Sequence, residues 1–174
     1  ERVAGTVGFP LPGIEVRITN DAGAPLPAGD IGGIEVRGPN VFSGYWRMPE
    51  KTREEFRDDG YFKTGDMGRV DADGRCTIVG RDKDLVISGG LNVYPKEVEL
   101  LIDTISGVID SAVIGVPHPD FGEAVIAVVA SETDIQLDDV IDVLRGKLAR
   151  FKQPKGLLRV DELPRNAMGK VQKN

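Results

Sequence analysis

Two apolar runs constrain the fold of this chain more than any other feature. They are SAVIGVP (111–117) and EAVIAVVAS (123–131), and both are apolar enough to form central strands of a sheet. A helical pattern stands on either side of the pair, over residues 94–105 and 137–151. Together with strands predicted at KDLVISGG and LLRV, this gives a β-α-β-β-α-β order. That order predicts a small α+β sheet with helices on one face.

The two predicted helices present one apolar face each. The first begins at Pro95, a residue that is tolerated at the first helical position. The apolar positions predicted to face the core are Val98, Leu101, Ile102 and Ile105 in the first helix, and Val140, Ile141, Leu144 and Leu148 in the second.

Residues 1–80 have a different, mostly β pattern. IEVRIT and GIEVRG alternate as strands do, GRVDADGRCTIVGR reads as a hairpin with its turn at 71–74, and MPEKTREEF predicts one short helix starting at Pro49. The change of pattern falls at residues 81–84, in the short charged stretch GRDKD. A connector of this kind favours a hinge over a long flexible linker. We therefore predict an α+β chain with a mostly β part (1–80), a hinge (81–84) and an α+β domain (85–174).

Composition excludes several classes of function. The net charge of -6 argues against general nucleic-acid binding, and no apolar run approaches the length of a membrane span. The single cysteine excludes an internal disulfide and fits a reducing cytoplasm. With one cysteine and one histidine, no Cys/His zinc site can form. We expect Cys76 to fill space in a strand and His118 to lie in a turn. The first residue is Glu1, so we interpret the chain as a piece of a longer protein.

Three internal stretches could carry chemistry, although each also has a plain structural reading. YFKTGD (61–66) could offer a carboxylate to a diol, or be a turn. GRDKD (80–84) could bring a guanidinium to ribose or phosphate oxygens, or be a solvated strand end. SGGLNVYPKEVE (88–99) could line a path for an extended ligand, or be a tight strand-to-helix turn.

The end of the chain adds a fourth stretch, LPRNAMGK (163–170), in which Lys170 follows a glycine in an irregular loop. Residues 145–174 hold nine Lys and Arg against two acids, a local charge of +7. Composition favours a basic helix end followed by solvated loops, and the alternative is a surface that meets a small anionic ligand such as a nucleotide.

Taken in order, GPNVFSGYW, YFKTGD, GRDKDLVISGGLNVYPKEVE and LPRNAMGK resemble four successive motifs of the adenylate-forming enzymes, and the resemblance covers essentially the whole chain. It implies that the first part is the end of a large N-terminal domain and the second part a mobile C-terminal domain. Within the family, GLNVYPKEVE and VDELPRNAMGKVQKN are most similar to acyl-CoA synthetases, and the ending to malonyl-CoA synthetase and related short-chain enzymes.

The resemblance implies a role for six residues. Asp66 and Arg81 match the residues that bind the ATP ribose, and Arg81 also reaches toward phosphate. Lys83 matches the hinge position, and Ser88 and Gly89 the loop that lines the pantetheine path of CoA. Lys170 matches the lysine that contacts both the substrate carboxylate and the α-phosphate during adenylation.

The resemblance further implies ATP, CoA and a small carboxylate as ligands, whereas composition predicts a cytoplasmic protein without nucleic-acid or membrane partners. The family's phosphate-binding loop and its acidic magnesium-binding motif are missing from the sequence. We therefore expect the ligands of Mg²⁺ to lie outside this chain and the chain alone to be inactive. Two alternatives stay open: a module whose Lys170 is modified by a lysine acetyltransferase and restored by a deacetylase, which would switch the parent enzyme off, and an adenylation domain that loads a carrier protein.

Overall fold

The structure is a computed structural model that describes residue 3 and residues 5–173. The chain is mixed α+β, as predicted, with two sheets and three α-helices in the described part. It divides into two compact units, Glu1–Lys83 and Asp84–Asn174.

The first unit contains a four-stranded antiparallel sheet in which the strands follow chain order: β1 (Glu15–Thr19), β2 (Gly32–Arg37), β3 (Phe62–Val70) and β4 (Cys76–Arg81). Helix α1 (Pro49–Glu55) begins at the predicted proline. The predicted hairpin turn is confirmed, because the Asp71 carboxylate accepts hydrogen bonds from the N–H groups of Asp73 and Arg75. Cys76 is buried beside Ile18 and Ile34, and this burial raises the pKa of its thiol.

A buried carboxylate joins the strands of this sheet on the face opposite that core. Glu35 on β2 is 2% exposed and accepts hydrogen bonds from Arg17 Nε at 2.9 Å and Arg57 Nε at 2.8 Å. The Thr19 hydroxyl donates a third at 3.1 Å. Burial alone would raise the pKa of Glu35, but these donors outweigh it and hold the pKa below its ordinary value of 4.5. Glu35 therefore stays ionised at neutral pH.

The second unit contains a five-stranded sheet with two helices. Its elements are β5 (Val86–Ser88), β6 (Leu91–Val93), α2 (Pro95–Ile102), β7 (Val108–His118), β8 (Gly122–Ser131), α3 (Leu137–Leu144) and β9 (Gly156–Val160). The strand order is β6-β5-β8-β7, and β9 pairs with β8 in parallel. The predicted central strands are thus β7 and β8, but only β8 is central, since β7 pairs with no other strand in the described part of the chain.

Both helices pack against one face of this sheet, as predicted. Val98, Ile102, Val140 and Leu144 are fully buried, and Leu101, Ile105 and Leu148 pack against the same cluster. Ile141 is only half-buried and lies outside that cluster.

Three elements of the second unit differ from the prediction. The helix predicted over 137–151 ends at Leu144, because Arg145 is extended and Gly146 takes a positive φ of 76°. Strand β6 was missed, so the order in the second unit is β-β-α-β-β-α-β. His118 is the last residue of β7 and not part of the turn, although its Nδ1 accepts a hydrogen bond from the N–H of Asp120.

The lowered pKa of Glu35 predicts acid-sensitive stability. A lowered pKa in the folded state stabilises the protein above about pH 4.5, and this contribution is lost as the pH falls through the folded-state value. Glu35→Gln should reduce the free energy of unfolding by about 1–3 kcal/mol near neutral pH. Urea denaturation should show that this difference from the unsubstituted chain narrows as the pH falls below about 4.5.

The control is Asp58→Asn, because Asp58 is exposed and makes no ion pair with any described residue. A difference for Glu35→Gln that is equally large in acid and at neutral pH would contradict this account.

Candidate functional site

Asp66 and Arg81 are direct partners across the β3–β4 ladder. Arg81 Nε lies 2.8 Å from Asp66 Oδ1, and their side chains are 50% and 26% exposed. The contact uses one oxygen of the carboxylate and one nitrogen of the guanidinium. Acceptor capacity on Asp66 and the two terminal nitrogens of Arg81 therefore remain for a ligand that carries both hydroxyl groups and anionic oxygens.

The segment that carries Asp66 is part of a strand and not the predicted turn. Thr64, Gly65 and Asp66 lie inside β3, just before an irregularity in its pairing with β4 at Met67/Gly68. The Thr64 hydroxyl donates to the carbonyl of Ile34 at 2.9 Å and accepts from the N–H of Asp66 at 3.1 Å. Gly65 has a φ of +73° and open space where a side chain would be. A glycine is needed at this position, and the backbone beside Asp66 stays accessible.

A cavity of about 380 Å³ lies next to this segment within the first unit. Its lining includes Asp66, Lys63, Asp82, Glu35 and Arg57. The walls are therefore mostly polar and of both charges, which suits a polar ligand better than a hydrocarbon.

Lys83 occupies the middle of a single 3-10 turn, Asp82–Asp84, and is exposed. The two compact units divide directly after it.

Ser88 and Gly89 lie in a hairpin in the second unit. Gly89 and Gly90 join β5 to β6 with φ angles of 59° and 77°, so the loop is a two-residue hairpin turn and not the expected strand-to-helix turn. Ser88 is only 4% exposed, whereas Gly89 is exposed. Any ligand that passes this hairpin would therefore meet the glycine backbone before the serine hydroxyl.

The backbone of Lys170 is held by hydrogen bonds, whereas its side chain is exposed. Asn166 Oδ1 accepts from the N–H of Lys170 at 3.0 Å, and the N–H of Asn166 donates to the carbonyl of Lys170 at 2.9 Å. Gly169 supports the tight loop with a φ of +75°. No described carboxylate forms an ion pair with Lys170. The loop thus presents an ammonium group that remains available to an anionic ligand.

The structure brings two of the six predicted site residues together, Asp66 and Arg81, with Lys83 two residues further along the chain. Ser88, Gly89 and Lys170 belong to the second compact unit. Among residues 3 and 5–173, no group of three or more His, Cys, Asp and Glu could hold a metal ion. No helix in the same range is long and apolar enough to cross a membrane.

Sequence reasoning missed two buried carboxylates, Glu35 and Glu99. Both lie in stretches that were noted for other reasons, an alternating strand and an amphipathic helix. Glu99 is 5% exposed and accepts the N–H of Val113 at 2.8 Å. The available signal was the position of Glu99 directly after Val98, which places it beside the apolar face of α2.

Comparisons with known proteins agree with the resemblance. Residues 1–46 match the AMP-binding enzyme family, and residues 97–170 match the C-terminal domain of AMP-binding enzymes. The crystal structure of ATP-bound MatB from Rhodopseudomonas palustris is 60% identical and superposes with a TM-score of 0.92, covering 99% of this chain and 35% of that one.

Curated relatives include the malonate–CoA ligase of Arabidopsis thaliana, 42% identical over 99% of this chain and 30% of its own length. The probable CoA ligase CCL8 of Humulus lupulus is 41% identical over 99% of this chain and 31% of its own length. This chain therefore spans about a third of the length of the curated relatives that it matches. The two family matches together cover more than half of the chain, and the chain belongs to the AMP-binding, adenylate-forming enzymes.

Proposed function

We propose that this chain is the C-terminal segment of an ATP-dependent acyl-CoA synthetase, and that Lys170 serves its adenylation step. The observation that carries the proposal is an exposed ammonium group on a loop that is tightly hydrogen-bonded, in a chain of this family. The reaction has two halves: a carboxylate and ATP give acyl-AMP and pyrophosphate, and CoA then gives the thioester and AMP.

The first half-reaction explains the need for a cation. A carboxylate oxygen forms a bond to the α-phosphorus while the bond to the pyrophosphate leaving group breaks. Two anions must therefore approach each other. An ammonium group placed between them offsets their repulsion and stabilises the charge that develops in the transition state. Lys170 is suited to this role because it makes no ion pair among the described residues.

The second half-reaction does not need Lys170, because no carboxylate attacks the α-phosphate in that step. The thiol sulfur of CoA attacks the acyl carbonyl carbon, the thiol loses its proton, and the bond from that carbon to the AMP oxygen breaks. We propose that the second unit turns about Lys83 between the two steps, withdraws Lys170 and brings the hairpin at Ser88 and Gly89 to the pantetheine arm. The position of Lys83 at the boundary of the units supports a hinge.

A relative supports the same idea. Over the same 99% of this chain and at the same 60% identity, MatB superposes with a TM-score of 0.92 in its ATP-bound form and 0.76 in its apo form. The matched third of that protein therefore takes more than one shape.

Asp66 and Arg81 are proposed to bind the nucleotide. The carboxylate accepts hydrogen bonds from the two ribose hydroxyls, and the guanidinium donates to ribose and phosphate oxygens. Their contact at 2.8 Å orients both groups before the nucleotide arrives.

For the acid, we propose malonate or a related short acid. The support is the 60% identity to MatB, a malonyl-CoA synthetase. Curated relatives named for bulkier acids, such as feruloyl-CoA synthase at 45%, are as similar as the malonate–CoA ligase at 42%. Mg²⁺ would be held by residues outside this chain.

The two alternative functions have less support. The exposure of Lys170 fits recognition by a lysine acetyltransferase, and acetylation would remove the charge that adenylation needs. This hypothesis fails if such an enzyme modifies the other lysines of the chain equally well. Carrier-protein loading has no support among the relatives named above, which are CoA ligases.

The role of Lys170 predicts a split between the two half-reactions. In the full-length enzyme, Lys170→Ala should reduce carboxylate-dependent ATP–pyrophosphate exchange by about 10²–10³-fold, because a charge contact made in the transition state is lost. Thioester formation from preformed acyl-AMP and CoA should survive. Lys147→Ala is the matched control, since Lys147 is also exposed and makes no ion pair with the described residues. Equal rates for both variants in both assays would refute the assignment.

The role of Asp66 predicts a loss of nucleotide affinity. Asp66→Asn should raise the Kd for ATP by about 10–100-fold, because a hydrogen bond to a charged group is typically worth about 1.5–3 kcal/mol. Isothermal titration of the full-length protein with ATP measures this directly, with Asp58→Asn as the control. An unchanged Kd for the Asp66 variant would show that the ribose binds elsewhere.

A further inference from the structure

The loop that carries Lys170 is a small hairpin. Its first arm is residues 163–165 and its second arm is residues 171–173. Arg165 and Val171 form an isolated antiparallel bridge, and the N–H of Gln172 donates to the carbonyl of Pro164 at 2.8 Å. Arg165 Nη1 also donates to the carbonyl of Gly169 at 2.7 Å. The tip of the loop is therefore ordered relative to its arms.

The arms are fixed to the second face of the sheet by apolar packing. Leu163, which is 3% exposed, and Val171 pack with Ala112 and Val128. Ala112 alternates with Val113, whose side chain belongs to the core beneath the helices. The arms thus cover the face of the sheet that lies opposite α2 and α3.

A buried ion pair joins the second arm to α2. Lys173 Nζ lies 2.5 Å from Glu99 Oε1, and the two side chains are 18% and 6% exposed. The same oxygen accepts the N–H of Val113 at 2.8 Å, on strand β7. Lys96 Nζ is more distant, at 3.9 Å from the other oxygen. Lys173 is therefore the cation closest to a carboxylate that is almost fully removed from water.

The first arm has a matching contact with the same strand. Arg165 forms an ion pair with Asp110 of β7. Asp110 and Val113 lie on the same strand, three residues apart, and Val113 is the residue whose N–H donates to Glu99. Strand β7 thus anchors the arm before Lys170 and the arm after it.

We propose that Glu99, acting through Lys173, is a positioning residue for Lys170. The inference rests on the proposed function of Lys170 and extends it to the ion pair between Glu99 and Lys173. Lys173 follows Lys170 by only three residues, so a fixed Lys173 restricts where the loop tip can lie. A buried carboxylate that loses its partner is strongly unfavourable, and this keeps the ion pair closed.

The alternative is that the pair only stabilises the second unit. In that case its loss would slow both half-reactions together, since both would depend on the same folded fraction. Positioning makes a different prediction, because only adenylation uses Lys170. A displacement of about 1 Å of a catalytic group can cost about 10²-fold in rate, so the two possibilities can be separated by measurement.

The test uses the full-length enzyme with Lys173→Met, which removes the charge and keeps an apolar stem of similar length. We expect the kcat of carboxylate-dependent ATP–pyrophosphate exchange to fall by about 10–100-fold. Thioester formation from preformed acyl-AMP and CoA should stay within about twofold of the unsubstituted enzyme. Lys147→Met is the matched control, and both of its rates should be unchanged.

A second variant changes the carboxylate of the ion pair. Glu99→Gln keeps an acceptor for the N–H of Val113 but loses the charge that meets Lys173. It should show the same selective loss of exchange. The double variant, Lys173→Met with Glu99→Gln, should be no slower in exchange than the slower single variant, because both substitutions break one contact.

The proposal is overturned if exchange is unchanged in both single variants. It is also overturned if exchange and thioester formation fall by the same factor along with the melting temperature. Lys170→Ala in the same assays separates this failure from a failure of the proposed function. If Lys170→Ala loses exchange while Lys173→Met does not, only the positioning role is wrong.

Discussion

The second unit depends on strand β8. This strand pairs with β5, β7 and β9, and its side chains are buried on both faces of the sheet. Val125, Ala127 and Val129 face the helices, and Val128 faces the arms of the final loop. Because both layers rest on the same strand, the helical layer and the Lys170 loop are parts of one folded structure. The arms of the loop thus pack against the sheet, although its tip is exposed.

This arrangement explains how an irregular segment can hold in place the backbone of the residue that carries the charge. The described loop has no helix and no regular strand of its own. Its order comes from the Asn166 side chain, from two ion pairs to neighbouring elements and from apolar packing of its arms. A charged group that is held in place before the reaction begins costs little reorganisation when charge develops in the transition state. The nucleotide residues proposed here, Asp66 and Arg81, are fixed in a comparable way by the β3–β4 ladder.

Sequence periodicity was sufficient for the fold class and for the main elements. Apolar runs and helical spacing correctly indicated β7, β8, α2 and the apolar face that contains Val140 and Leu144. Periodicity failed where one residue changed the backbone. A helical pattern continues through Leu148, but Gly146 adopts a left-handed conformation and ends the helix at Leu144. Two glycines likewise made a hairpin where a strand-to-helix turn was expected.

The residues of the candidate site were predicted from motifs, whereas the contacts of the neighbouring buried carboxylates could not be predicted. Glu99 and Lys173 are separated by 74 residues in the chain, and their contact exists only after the final loop has packed against the sheet. Glu35 similarly finds Arg57 on a segment that follows α1. Contacts between charged residues that are distant in sequence leave no local pattern, so they become visible only in the folded structure.

The proposed function requires that the two compact units change their arrangement between the half-reactions. Spin labels at Asp58→Cys and Asp138→Cys, one exposed position in each unit, report on this directly by electron–electron distance measurement in the full-length enzyme. We expect one distance distribution with ATP and a different one with a stable acyl-AMP analogue and CoA. A single distribution that is unchanged by either set of ligands would contradict it.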